Sequence, residues 1–272
     1  MHQTLIRISA AGALAGLLVI GSGCQKLRAR DNLNKGVQAF KTAQYAVAVD
    51  FFKKSVELDP TFPTARLYLA TAYMSQYIPG AESPENTQMA QSAHDEFLRV
   101  LEMDSKNTLA IASIASLFFH QKRLDEAEKW YRRVVEVDPK NKEAFYTLGV
   151  IAWTRTFQKR MDARAKLGMR PEDPGPLKEK KVREEVASAN MPIVEEGIKH
   201  LEMAIQIDDQ YDDAMAYMNL LHRERADLQP TADAYNKDID TADNWVQKTL
   251  DTKKKKAAAM PAGATGILSE QQ

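Results

Sequence analysis

The chain has 272 residues, with 37 basic residues against 37 acidic ones and a formal net charge of zero. No global field therefore points to nucleic acid or to acidic substrates. One cysteine permits no intrachain disulfide, so apolar packing must hold the fold. Gly and Pro are few, at 12 and 11, and the prolines gather at punctuation points, which suits a helical protein.

The first element is a leader. Residues 1–23 carry Arg7, an apolar small-residue stretch from Ile8 to Ile20, and then Gly21-Ser22-Gly23. This is the layout of a secretory signal, too short and too rich in small residues for a membrane span. Cys24 follows directly. The arrangement resembles the cleavage box of bacterial lipoproteins, in which the cysteine sulfur takes a diacylglyceryl group and the signal is cut before it. Gly21 stands where that family usually has leucine. The resemblance implies a lipid on Cys24 and a membrane-anchored protein facing the periplasm. Gln25 rather than Asp after the cysteine favours the outer membrane. Lys26, Arg28 and Arg30 lie in a short linker, 24–30, where three basic residues supply modest attraction to anionic headgroups. The alternative is an ordinary signal, which leaves a soluble exported protein.

The body of the chain, 31–252, repeats itself. Val56-Glu57-Leu58-Asp59-Pro60, Leu101-Glu102-Met103-Asp104-Ser105 and Val135-Glu136-Val137-Asp138-Pro139 end three segments alike, and Ala204-Ile205-Gln206-Ile207-Asp208 ends a fourth. Each closes an amphipathic helix, and the Asp-Pro pair turns the chain into the next one. Five segments follow from this period: 29–62, 63–107, 108–141, 142–211 and 212–254. Gly36, Phe40, Tyr45, Ala48, Phe52 and Pro60 mark the first; Ala115, Phe118, Ala127, Tyr131 and Pro139 mark the third. Small residues let helix axes approach while aromatics fill the gaps between them.

These residues resemble the tetratricopeptide repeat, which pairs two helices, A and B, in about 34 residues. The resemblance implies an all-α, right-handed solenoid of about five helix pairs. The second, fourth and fifth repeats carry extra residues in their A–B turns, and those loops are expected to form a common ridge. The fourth is expected to hold a separate helix from Leu177 to Ala189, bounded by Pro176 and Pro192.

In the family, A helices line a concave groove. Its fifth position falls here on Leu33, Leu67, Ala112, Tyr146 and Ala216, and its twelfth on Phe40, Met74, Phe119, Trp153 and Arg223. Leu33, Phe40, Leu67, Met74, Phe119, Tyr146, Trp153 and Arg223 are thus the expected partner-binding residues. The row suits an amphipathic helix or an extended apolar peptide. The Lys and Asn pair of carboxylate-clamping members is missing, which disfavours charged C-terminal peptides.

Catalytic signals are absent from the sequence. His94, His120, His200 and His222 are scattered, none with a second histidine three or four residues away, so neither a metal nor another cofactor is expected. No glycine-rich phosphate loop or serine elbow occurs. Acidic pairs such as Asp208-Asp209 and Asp212-Asp213 suit helix ends. Residues 253–272, four lysines followed by Ala, Gly and Pro, read as a disordered tail. The sequence thus describes a lipid-anchored scaffold that holds a protein or peptide in envelope assembly, secretion or pilus biogenesis. The alternatives are an enzyme or enzyme-regulating subunit for peptidoglycan, and the soluble exported adaptor.

Overall fold

The structure, a computed structural model, describes residues 23–259. They form ten helices and no strand: α1 at 23–41, α2 Tyr45–Leu58, α3 Pro63–Met74, α4 Pro84–Met103, α5 Thr108–His120, α6 Leu124–Val137, α7 Lys142–Lys166, α8 Lys180–Ile207, α9 Asp212–Asp227 and α10 Ala232–Ala259. The odd-numbered helices are the A helices of five repeats and the even-numbered ones the B helices. The chain divides into two compact units between Trp130 and Tyr131, inside α6. In the first unit α2 packs on α3, α3 on α4 and α4 on α5. In the second α7 packs on α8, α8 on α9 and α9 on α10, and α7 also touches α9. This is an all-α solenoid fold of tetratricopeptide type.

One device closes four B helices. Asp59, Asp104 and Asp208 cap α2, α4 and α8. With Asp138 after α6, each accepts the backbone N–H two residues on at its Oδ1, from Thr61, Lys106 and Lys140 at 3.2 Å and from Gln210 at 3.0 Å. Each carbonyl then accepts the third N–H onward, at 3.1 Å in every case, from Phe62, Asn107, Asn141 and Tyr211. Proline follows only two of the four. The aspartate side chain, not the proline, is the common stop. Asn107 and Asn141 then cap α5 and α7 by accepting from Ala110 and Ala144.

In the first and fourth pairs the helices meet at glycine. A Cβ on Gly36 would lie 2.4 Å from the Phe52 ring, joining α1 to α2. One on Gly149 would lie 2.5 Å from Leu201, and one on Gly197 would lie 2.5 Å from Ala152. Phe52, Phe97, Ile111 and Ile114 are fully buried in the first unit, and Val194, Leu201, Ala204 and Leu221 in the second. Burying each of these side chains except that of Ala204 is worth about 1.5–3 kcal/mol.

Several expectations need correction. Residues 24–30 are not a linker but the start of α1. Ala29 is fully buried, and its carbonyl accepts the Ser55 hydroxyl at 2.7 Å, so α1 is already packed on α2 there. The helix expected from Leu177 to Ala189 is not separate: it begins only at Lys180, as the first turns of α8, which runs unbroken through Pro192. Pro192 and Ser188 are both exposed, where water can serve the carbonyl that loses its donor. The fifth repeat has only the short turn 228–231 between its helices, because its extra residues lengthen α10. α10 also continues through Lys253–Lys256 to Ala259, where a disordered tail was expected. Lys256 pairs with Asp212 and Lys253 lies 3.9 Å from the same carboxylate, while alanines favour the last turn. The expected signal peptide, up to residue 22, and the end of the expected tail, 260–272, lie outside the described residues.

The long loop of the fourth repeat, 167–179, is tied to the end of α9. The buried Arg164 guanidinium donates to Asp227 at 2.8 Å and to the carbonyls of Arg170 and Asp173 at 2.8 and 2.5 Å. The Leu177 N–H donates to the Asp227 carbonyl at 2.9 Å. Met169, Leu177, Ala163 and Leu228 close a small second core beneath it.

Candidate functional site

α7 is 25 residues long and places Tyr146, Trp153 and Phe157 on one face, at helical spacings of seven and four. Between Tyr146 and Trp153 the ring of Tyr217, from α9, is inserted. Its centroid is 5.6 Å from Tyr146 and 5.7 Å from Trp153, with interplanar angles of 82° and 84°. Tyr211, just before α9, lies 5.2 Å from Tyr146, and Phe157 lies 4.9 Å from Trp153. Five rings thus form one row along two A helices of the second unit. All five are half-buried, and four of them pack on the core of Leu201, Met218 and Leu221. Edge-to-face pairs of this kind contribute about 0.5–1.5 kcal/mol each beyond their buried area.

A cation stands at each end. Lys142 lies 5.2 Å over Tyr211 and donates to Asp208 at 2.6 Å. Arg160 lies 5.5 Å over Phe157 and donates to Glu224 and Asp227, both at 2.8 Å. Glu224 is 1% exposed and its second oxygen has no partner. Burial pushes its carboxyl up to about 7, against the pull of Arg160.

No hydrogen bond joins the hydroxyls of Tyr146, Tyr211 or Tyr217 to another described residue. Burial pushes Tyr146 up to about 12, and the neighbouring Tyr217 and the Asp213 carboxylate add to the effect. Burial and the same acid raise Tyr217, and burial with Glu143 and Asp213 raises Tyr211. The three phenols are therefore neutral hydrogen-bond donors at any physiological pH. Asp213 itself is exposed and has no ion-pair partner among the described residues.

Of the residues expected to line a groove, Tyr146 and Trp153 come together here. Arg223 does not join the row, since it donates to Asp243 at 2.5 Å and to Asn219 at 2.8 Å. In the first unit Leu33 is a core residue, 9% exposed, because α1 turns that face inward. Phe40 packs edge-on against Tyr45 at 5.2 Å, beside the A–B turn. Leu67, Met74 and Phe119 are half-buried and make no aromatic row. Tyr217, Phe157 and Tyr211 were missed. Phe157 follows Trp153 by one helical turn, a spacing visible in the sequence to anyone extending α7 past the repeat length.

The histidines serve packing and ion pairing. His94 sits edge-on to Phe118 at 5.4 Å, and His200 lies 6.0 Å from Phe145. His222 joins Arg225 and Asp238 in a buried group. Among the described residues no cluster of three or more His, Cys, Asp or Glu could hold a metal ion, and no helix is long and apolar enough to cross a membrane.

The repeat pattern has counterparts elsewhere. Residues 110–141 match the tetratricopeptide repeat family. The fold is that of tetratricopeptide-repeat proteins. The crystal structure of a MamA protein superposes with a TM-score of 0.57 at 16% identity, over 86% of this chain and 97% of that one. YrrB, described as a TPR protein with an unusual peptide-binding site, superposes at 0.51 with 15% identity over 82% of this chain and 85% of that one. Sperm-associated antigen 1 of Mus musculus is 31% identical over 117 residues, 43% of this chain but only 12% of that protein. At such identities the two solved structures are evidence for the fold alone.

Proposed function

We propose that this protein is a lipid-anchored scaffold of the bacterial envelope that holds a protein or peptide against the A helices of its second unit. The observation that carries the binding part is the row of five half-buried rings, three of them tyrosines, along the A helices of that unit. A row serving only the core has no use for three phenols at its surface, whereas Phe there would pack as well. The repeat fold supports a holding role over a transforming one. The anchor rests on the leader pattern before Cys24, which is exposed in the first turn of α1. A lipid on that sulfur fixes the first repeat close to the membrane surface. Outer-membrane residence facing the periplasm, and work in envelope assembly, secretion or pilus biogenesis, complete the reading.

A photo-crosslinking residue at Trp153 in living cells tests the face, with the exposed Lys129 as control. Capture of one envelope protein from position 153 alone supports the reading; equal capture at both positions, or none at 153, overturns it. Cys24→Ser tests the anchor: the protein leaves the membrane fraction if the sulfur carries lipid, and fractionates unchanged if it does not.

A further inference from the structure

Helix α1 starts at the cysteine assigned the lipid and is fixed to its neighbour within two turns. Resting on the anchor reading above, we propose that these turns are a rigid membrane mount. Leu27 enters the bilayer beside the acyl chains of Cys24, and Lys26, Arg28 and Arg30 hold anionic lipid headgroups around it.

The helix leaves no tether. Residues 23–41 are helical without a break. Ala29 is fully buried and its carbonyl accepts the Ser55 hydroxyl at 2.7 Å, so α1 is locked to α2 five residues after the cysteine. Leu27 follows Cys24 by three positions, about 4.5 Å along the axis and on the same side of the helix. Acyl chains on Cys24 that lie in a bilayer therefore bring Leu27 to its surface, with no spacer to hold the protein off.

The side chains suit that position. Leu27 is 66% exposed, while Ala29 and Leu33, on the opposite side, are buried. Its packing contributes little to the unit, whereas entry into hydrocarbon recovers its burial. The apolar surface ends one turn on, where Asp31 accepts from Lys35 at 2.7 Å. Asn34 and Gln38 continue the exposed face with polar groups. That change marks where the helix leaves the headgroup layer.

The charge selects the lipid. Lys26, Arg28 and Arg30 are exposed and form no ion pair with a described residue. At about 100° per residue, Arg28 lies to one side of Leu27 and Lys26 and Arg30 to the other. Their long stems reach the phosphate level while Leu27 points inward. The acids at the facing end of α2 are Glu57 and Asp59, and Asp59 accepts from Thr61 at 2.7 Å. The surface around Leu27 is thus basic, which anionic headgroups complement.

The test uses the full chain purified from membranes, in vesicles of phosphatidylcholine alone or mixed with phosphatidylglycerol. Mass spectrometry first establishes whether Cys24 is acylated. When it is, Leu27→Cys supplies the one free thiol for a nitroxide label, because the chain has no other cysteine. Asn34→Cys and Gln38→Cys label the same exposed face further on. All three positions are exposed, and thermal melting confirms that each variant folds. Electron paramagnetic resonance then compares collisions with oxygen, which enters hydrocarbon, and with a water-soluble nickel chelate. In the mixed vesicles the label at 27 should be shielded from nickel and open to oxygen, while those at 34 and 38 stay open to nickel. Lys26→Gln, Arg28→Gln and Arg30→Gln together should move the label at 27 toward water, as should high salt. Full nickel access at 27 in acylated protein, or one depth for all three labels, overturns the mount and leaves the anchor standing. So does a label at 27 whose depth ignores the glutamine replacements. An unmodified Cys24 removes anchor and mount together.

Discussion

Arg164 and Asp227 lie 63 positions apart in sequence, yet the guanidinium of one donates to the carboxylate of the other at 2.8 Å in a nearly dry site. Arg160 binds the other oxygen of the same carboxylate at 2.8 Å. Two arginines of α7 thus converge on one acid at the end of α9. The remaining donors of Arg164 hold the carbonyls of the 167–179 loop. Replacing Arg164 with methionine keeps its bulk but frees two carbonyls and half of Asp227. We expect a loss of about 3 kcal/mol and, more specifically, rapid proteolytic cleavage within 167–179. Lysine should not restore protection, because one ammonium cannot span acceptors on three residues.

Gly149 offers a sharper packing test. A methyl group there would sit 2.5 Å from both Cγ and Cδ2 of Leu201, which is fully buried. Gly149→Ala should lower stability by about 1–3 kcal/mol despite alanine's better helix propensity. Adding Leu201→Val should recover part of that loss, and a double-mutant cycle in urea would measure the coupling.

Lys122 points the other way. It holds the short turn between α5 and α6 with φ at +59°, a region costly for a residue with a Cβ. Lys122→Gly should therefore raise stability by about 0.5–1 kcal/mol, while Lys122→Ala should change little. Thermal unfolding of the two variants distinguishes backbone relief from loss of charge.

Glu224 predicts a pH dependence. Its carboxyl is raised from 4.5 to about 7 in the folded protein, so the folded state binds more protons than the unfolded state between those values. This group's contribution is fullest below about 4.5 and declines as pH rises toward 7, by about 1–3 kcal/mol. Glu224→Gln should remove that slope and make the protein more stable than the parent above pH 7. An unchanged slope would show that the slope arises elsewhere.

The sequence announced what is local. The closing aspartates, the paired small residues and the 34-residue period are written within a few turns of helix, and they place Tyr146 and Trp153 on an A helix. What escaped was set by chain length and distant partners. Nothing near Lys253 says that Asp212 will hold it in a helix, and nothing near Leu177 says that Asp227 will hold its N–H. Phe157 fell beyond the end of a standard A helix, and Tyr217 joins the row only because α9 lies against α7. Leu33 was misread because a position in the repeat alone does not say how far α1 is rotated toward α2.

The aspartate turns carry a kinetic consequence. Each joint is made from bonds between residues two and three positions apart. Such short loops close in well under a microsecond and need no distant strand or helix to template them. Neighbouring helix pairs can therefore form early and independently along the chain. The ties from Arg164 and Leu177 to Asp227 must wait for α9 to dock, so the 167–179 segment should be the last part of its unit to gain protection against hydrogen exchange.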